Sequence, residues 1–344
     1  MNNKGTKTQR TNGTKVNVDV KPFCRSWCLG VFVVLSLPLP ASAAVKAGGY
    51  LKDFWQYSRS AFDGRPYNLN TARARLTLDA ERSVFKAHVD FDQQVAAGSF
   101  FRTAEFRHFG YTPPKPWLDM EHTVSTGVTN GYGIGAYRAW VGLEDERGVV
   151  RAGRQRIAWG SGKLWNPTDV LNPYDPTTVE RDERRGVDAL YARAGVGSLG
   201  QAELAWAPGD VWVEHALLAR GRANWEGWDG AVMGGKITGS TASFVLGGDF
   251  AGALLEGTVH GELAWFHPVN RTPYWKAGLG YDYNFASDTK WTMLKDSAFV
   301  VELYHAGNGK VDPLRYDLAS LRAGREPGVA QDYAGATFSK DLHT

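Results

Sequence analysis

A strict alternation of apolar and polar residues is the feature that most constrains the fold of this chain. Residues 71–81 read TARARLTLDAE and residues 85–92 read FKAHVDFD, and in both runs every second residue is polar. The same period returns at 137–144, 255–265 and 275–285. A period of two sends alternate side chains to opposite faces of a β-strand, whereas a helix would scatter the same residues around its axis. The alternation therefore predicts strands with one apolar and one polar face.

Strand length and the charge of the polar face distinguish this pattern from that of a soluble sheet. The runs extend over about ten residues, the length of a tilted membrane strand, and their polar faces carry Arg, Lys, Asp and His. Short turns and long loops also alternate along the chain, as the two ends of a membrane barrel require. We therefore predict an all-β fold, an antiparallel transmembrane β-barrel of about fourteen strands over residues 44–344, with long outer loops near 96–135, 159–186 and 306–330. The strands are predicted near 46–59, 68–81, 84–95, 136–145, 149–158, 187–196, 199–207, 212–220, 228–237, 241–249, 254–267, 274–286, 292–305 and 331–342.

Residues 1–43 are expected to be a signal peptide that lies outside this fold. Basic residues precede an apolar run from Trp27 to Leu39, and residues 41–43 read ASA, the small residues that a signal peptidase requires. The apolar run is shorter than the about 20 residues of a membrane helix. Removal of this segment takes six basic and one acidic residue from totals of 39 and 36, which changes the net charge from +3 to −2. We therefore expect export to the outer membrane and no nucleic-acid partner.

Charged side chains on the polar faces are the candidate pore lining. A barrel of eight strands fills its own interior and one of 16–18 strands leaves an aqueous channel, so about fourteen strands predict a water-filled lumen. Charges that face such a lumen stay solvated and can pair across neighbouring strands. The predicted pore-lining residues are Arg73, Arg75, Lys86, His88, Asp90, Asp92, Arg138, Glu144, Arg154, Arg156, Glu256, His260 and Glu262.

The loop at 159–186 is the candidate constriction of that lumen. Its Asn-Pro and Asp-Pro steps favour extended or turn geometry, so an ordered loop is expected. Two roles stay open for Arg154 and Arg156, which precede it: pairing with acidic neighbours, or direct contact with a passing solute. The predicted constriction residues are Trp159, Asp169, Asp175, Arg181, Arg184 and Arg185.

A signature within residues 153–197 resembles that of a known family. It consists of Gly-Arg-Gln at 153–155, Trp-Gly at 159–160 and Asn-Pro-Tyr-Asp at 172–175. This arrangement resembles the Gram-negative outer-membrane porin-like β-barrels, a family of mostly unassigned substrate. The resemblance implies a barrel with an aqueous or ligand-conducting lumen, and it implies further strands beyond those of this chain. Elsewhere the likeness is one of architecture only.

The carboxyl end differs from the usual ending of outer-membrane barrels, a final strand whose last residue is aromatic. This chain ends GATFSKDLHT, with Phe338 six residues before the last residue. Either the barrel closes at about fourteen strands, or the sequence is a truncated form of a longer barrel. The second interpretation is favoured.

Other kinds of site are weakly indicated. Both cysteines, Cys24 and Cys28, lie in the predicted signal peptide, which excludes a disulfide framework and a thiolate metal site from the remainder. The acids of the 159–186 loop match no calcium-binding spacing and the histidines show no ligand spacing, so we expect no metal and no cofactor. The glycines of GYGIGA at 131–136 follow a loop and open a strand, which is the wrong context for nucleotide binding. No Ser/His/Asp constellation stands out, so no enzymatic activity is expected.

These features together predict an outer-membrane channel for the passive diffusion of small polar or anionic solutes. Two alternatives stay open: an export or assembly barrel for an envelope polymer or a threaded protein partner, and, with less support, an outer-membrane hydrolase. The expected partners are outer-membrane lipid, the outer-membrane assembly machinery and a small solute. The sequence leaves open the identity of the solute and the oligomeric state.

Overall fold

The described part of the chain forms fifteen antiparallel strands in a single sheet. The computed structural model describes residues 44–60, 64–104, 106, 117–172, 186–209, 215–237, 243–285, 292–317 and 329–340. Within these residues no helix is long and apolar enough to cross a membrane. The strands are β1 (Ala44–Arg59), β2 (Pro66–Arg82), β3 (Phe85–Ala97), β4 (Glu121–Thr126), β5 (Asn130–Glu144), β6 (Gly148–Gln155), β7 (Val187–Val196), β8 (Gly200–Ala207), β9 (Ala216–Trp225), β10 (Trp228–Ile237), β11 (Ser243–Leu254), β12 (Gly257–Pro268), β13 (Tyr274–Phe285), β14 (Ser297–Ala306) and β15 (Asp332–Lys340). Short 3₁₀ turns lie at Ser99–Arg102, Thr292–Leu294 and Pro313–Arg315.

Each strand pairs with the next one in the chain, except that β3 pairs with β5 and β4 lies beside β5. Every predicted strand overlaps one observed strand, which confirms the all-β antiparallel fold. The boundaries differ most at β5, which begins at Asn130 rather than near 136. Among the described residues no pairing joins β1 to β15, so closure of the sheet into a barrel stays a prediction.

Two local features of the first half differ from the sequence prediction. The strand β4 lies inside the predicted loop 96–135, where its six residues are too few to show alternation. A β-bulge then interrupts β5, since Asp90 lies opposite Arg138 while Phe91 lies opposite Ala136. The extra residue, Tyr137, consequently points to the polar face, although the alternation predicts the apolar one.

The two faces of the sheet have opposite chemistry. On β12, Glu262 is 5 % exposed while its neighbour Leu263 is 49 % exposed. On β14, Glu302 is 3 % exposed and Leu303 is 57 % exposed. A soluble protein buries its leucines and exposes its carboxylates, so this sheet has the reverse arrangement. We call the face that carries Glu262 and Glu302 the inner face, and the face that carries Leu263 and Leu303 the outer face.

The inner face curves around residues 156–172, which we call the inner segment. Trp159 donates to Glu203 on β8, while the backbone amide of Lys163 donates to Glu302 on β14. The strand spacings from β8 to β14 would extend over about 29 Å in a flat sheet. Two residues four positions apart lie at most about 14 Å from each other. Both contacts therefore form most readily on a bent sheet, such as the wall of a barrel.

Candidate functional site

The inner segment lies on an apolar floor of small residues. Ile157 and Trp159 are buried in one cluster with side chains of β7 to β12. Full burial of a large apolar side chain contributes about 1.5–3 kcal/mol, so this floor helps to fix the segment. Five of its nine wall residues are alanines, whose short side chains leave room for the segment. The nine wall residues are Ala189, Ala205, Ala207, Ala216, Leu218, Met233, Val245, Ala264 and Phe266.

Glu262 is the first polar anchor of the inner segment. Its Oε1 accepts from the backbone amides of Ser161 at 2.7 Å and Gly162 at 2.6 Å. Its Oε2 accepts from the amide of Thr168 at 3.0 Å and from the Thr168 hydroxyl at 2.8 Å. Gly160 makes this approach possible, because it has a φ of +96° and a Cβ there would lie 2.5 Å from Oε1. One buried carboxylate thus organises both ends of a tight loop.

Glu302 is the second anchor, on β14. Its carboxylate accepts from the backbone amides of Lys163, Leu164 and Trp165, the last two at 2.8 and 3.0 Å. His260 on β12 lies beside it, with Nε2 2.9 Å from Oε1. The Trp165 ring then stacks on Tyr304, with ring centroids 5.8 Å apart and planes 6° from parallel. The segment is therefore held both by carboxylates and by aromatic packing.

A third polar group fixes the start of the inner segment. Glu203 Oε2 accepts from Trp159 Nε1 at 2.9 Å and from the Tyr191 hydroxyl at 2.7 Å. Its Oε1 accepts from Arg220 at 3.0 Å, and Arg220 also donates to both oxygens of Asp249. This network joins the segment to β7, β8, β9 and β11.

Beside these anchors lies a cavity of about 650 Å³, between the inner segment and strands β9 to β11. Four basic side chains and two carboxylates lie in its lining. Among the described residues no group of three or more His, Cys, Asp or Glu side chains is placed to hold a metal ion. The charged residues of the cavity are Arg156, Lys163, Arg220, Arg222, Asp229 and Asp249.

The predicted charged ladder of β2, β3 and β5 forms an ion-pair network. Arg75 binds Asp92 through Nε–Oδ1 at 2.5 Å and Nη2–Oδ2 at 2.7 Å, and the Tyr137 ring centroid lies 4.2 Å from its guanidinium carbon. Asp90 accepts from Thr77 at 2.6 Å. The structure thus brings these residues together as matched pairs and not as separate charges. The further pairs are Arg73 with Asp92, His88 with Asp79 and Asp90, Arg138 with Asp90, and both Lys86 and Arg151 with Glu144.

Arg154 does not line a pore, contrary to the sequence prediction, because it is 0 % exposed. Its Nε donates to Asp188 on β7 at 2.9 Å, and its Nη1 donates to the carbonyl of Ala136 at 3.0 Å. Its Nη2 donates to the carbonyl of Leu118, whose own amide donates to Asp188 at 2.8 Å. The chain before β4 therefore covers this ion pair. Of the two roles left open for the arginines, pairing with an acid applies to Arg154, whereas Arg156 lies at the cavity.

Three other predicted pore residues also have different surroundings. Glu256 lies in the β11–β12 turn with a φ of +64°, exposed and away from the inner segment, because the alternation continues past the point where the strand ends. His260 and Glu262 do lie on the inner face, but they are buried against β14 and the inner segment, whereas the sequence predicts charges that are solvated as well as paired. Of the predicted constriction residues, Trp159 and Asp169 are buried in the inner segment. The remaining four lie outside the described residues: Asp175, Arg181, Arg184 and Arg185.

Sequence reasoning missed several residues of the site. Glu203 and Glu302 stand in alternating runs, QAELAWA and AFVVELYHA, so the same signal was present there. Arg220 and Arg222 lie where the prediction ends the eighth strand near 220 and the observed strand β9 continues to Trp225. Lys163 carries no periodic signal, because it lies in a loop.

Comparisons with known proteins give structural likeness alone. No family model and no curated protein matches this chain. OmpT, an outer membrane protein of Vibrio cholerae in its trimer form, is 9 % identical with a TM-score of 0.43, covering 76 % of this chain and 77 % of that one. An anion-selective porin from Comamonas acidovorans is 11 % identical with a TM-score of 0.44, covering 77 % and 79 %. OccK11 (OpdR) from Pseudomonas aeruginosa is 10 % identical with a TM-score of 0.43, covering 76 % and 62 %. Similarity at this level carries no argument about the solute or the activity.

Proposed function

We propose that this chain is an outer-membrane porin-like channel through which small anionic or polar solutes diffuse passively. The reversed chemistry of its two faces supports the membrane location. Outer-face side chains such as Leu263 and Leu303 suit contact with lipid, while the charged groups of the inner face are paired or hydrogen-bonded. Residues 1–43 would act as the signal peptide, and the assembly machinery of the outer membrane would insert the strands.

The observation that carries the proposal is the inner segment, fixed across the inner face beside a cavity with more basic than acidic groups. A segment inside a curved wall narrows the path of a solute, and the charges at the narrowest point determine which ions pass. Even in water, one cation about 4 Å from an anion favours it by about 1 kcal/mol, or roughly fivefold in local concentration. The excess of basic groups therefore favours anions over cations.

Planar-bilayer recording of the full-length protein, exported and purified from the outer-membrane fraction of a Gram-negative host, tests this proposal. We expect ion conductance in potassium chloride, with a reversal potential in a salt gradient whose sign shows that chloride carries more current than potassium. A folded, membrane-inserted protein without conductance would overturn the proposal. A cation preference would overturn the part concerning anionic solutes.

A further inference from the structure

The carboxylates around the cavity already have protein partners. Glu262 accepts four hydrogen bonds from the inner segment, and Glu302 accepts three backbone amides of the same segment. Glu203 and Asp249 share Arg220 between them. The oxygens of these acids are therefore occupied by donors of the protein, and they repel a visiting anion less than free carboxylates would.

Three basic side chains of the cavity are held less firmly. Arg222 Nη2 lies 3.8 Å from Asp229, and both side chains are about half exposed, at 43 % and 55 %. Lys163 Nζ lies 3.9 Å from Asp282 and is 56 % exposed. Arg156 is exposed, and among the described residues no ion pair joins it to an acid. Exposed ion pairs are weak, so a solute can replace these partners at small cost.

The chemistry of these groups indicates what the cavity would bind. A guanidinium presents a planar set of donors that matches the two oxygens of a carboxylate or a phosphate. A cavity of about 650 Å³ lies within the range of small-molecule sites and admits a small organic acid. Partial enclosure by the inner segment strengthens each charge contact relative to open water.

We propose that this cavity is a saturable binding site for a small oxyanion, the carboxylate or phosphate group of a solute, which contacts Arg156, Lys163 and Arg222. This inference rests on the proposed function and goes beyond it, because free diffusion through a wide channel needs no binding site. The solute would stop at the cavity during passage, and the current would saturate as its concentration rises.

Block of the chloride current by added oxyanions tests the site. Inorganic phosphate, succinate and acetate are added in separate titrations to the wild-type channel, and isothermal titration calorimetry of the detergent-folded protein measures binding independently. We expect saturable block by at least one of them. The order of half-blocking concentrations then shows whether carboxylate or phosphate is preferred. The double variant Arg156→Gln/Arg222→Gln should weaken binding by about tenfold or more.

The double variant Arg147→Gln/Arg193→Gln is the matched control, because it removes the same two charges from exposed positions outside the cavity lining. It should leave the half-blocking concentration unchanged. An anion-preferring channel without saturation, block or calorimetric binding would overturn this inference and leave the proposed function intact. Equal weakening by the control and by Arg156→Gln/Arg222→Gln would also overturn it, since that result indicates a general electrostatic effect of positive charge and not a binding site. A protein without conductance would instead contradict the proposed function.

Discussion

Replacement of Glu262 by Gln is expected to release the inner segment from the wall of the sheet. Oε1 accepts the amides of Ser161 and Gly162, and Oε2 accepts two donors of Thr168. A glutamine has one carbonyl oxygen and one NH₂ group. In either orientation, therefore, two of these donors lose their acceptor and meet another donor.

The magnitude follows from the two hydrogen bonds that the substitution breaks. Hydrogen bonds to a charged group contribute about 1.5–3 kcal/mol each, so breaking two costs about 3–6 kcal/mol of docking free energy. The lower bound alone raises the ratio of released to docked segment by about 100-fold. The strands stay paired, because the Glu262 side chain takes no part in the β-ladder.

Limited trypsin digestion after Lys163 measures this change in the folded protein, because cleavage follows the population of the released segment. The rate should rise in Glu262→Gln, and bilayer recordings should show larger current fluctuations. Glu256→Gln is the control, since that residue lies exposed in a turn with one 3.4 Å contact to Tyr283. A Glu262→Gln protein with wild-type cleavage and wild-type current noise would refute the reasoning.

Three further changes test other parts of the structure. Gly160→Ala places a Cβ 2.5 Å from Glu262 Oε1 at a φ of +96°, which strains the docked segment by about 1–3 kcal/mol. Trypsin cleavage of the inner segment should therefore become faster, and an unchanged cleavage rate would contradict this. Asp188→Asn removes the carboxylate partner of the fully buried Arg154 and should lower the free energy of unfolding by about 3–5 kcal/mol. Urea titration of the folded protein measures this change, and an unfolding midpoint equal to that of the wild type would count against the buried ion pair. Leu279→Arg puts a charge at the centre of β13 on the outer face and should cost about 2–4 kcal/mol in urea titrations in lipid vesicles; an unchanged stability there would argue against lipid contact.

Alternation predicts the strands well because it is a local property. Each residue of a strand points opposite to its neighbours, so the sequence alone separates Glu262 from Leu263 and Arg75 from Leu76. The same property explains the two misses. The six residues of β4 are too few to show a period, and the bulge at Tyr137 shifts the phase without a sequence signal.

The candidate site is harder to predict, because the face of the sheet on which a side chain lies does not determine which residue that side chain contacts. Arg154 and Arg156 are two residues apart, and alternation predicts the same role for both. The first is buried by Asp188 and the chain near Leu118, a contact across 36 positions, while the second lies at the cavity. Glu262, which the sequence predicts as a pore charge, is an anchor of the inner segment. No local pattern carries such contacts.

The sequence by itself determined that this chain forms antiparallel strands with one apolar and one charged face, since backbone geometry alone converts a period of two into two faces. Only the tertiary structure decided which charges are paired, which are anchors and which line the cavity. Those roles depend on strand register and on the path of the inner segment, which bring Trp159 to Glu203 and Lys163 to Glu302 across residues distant in the chain.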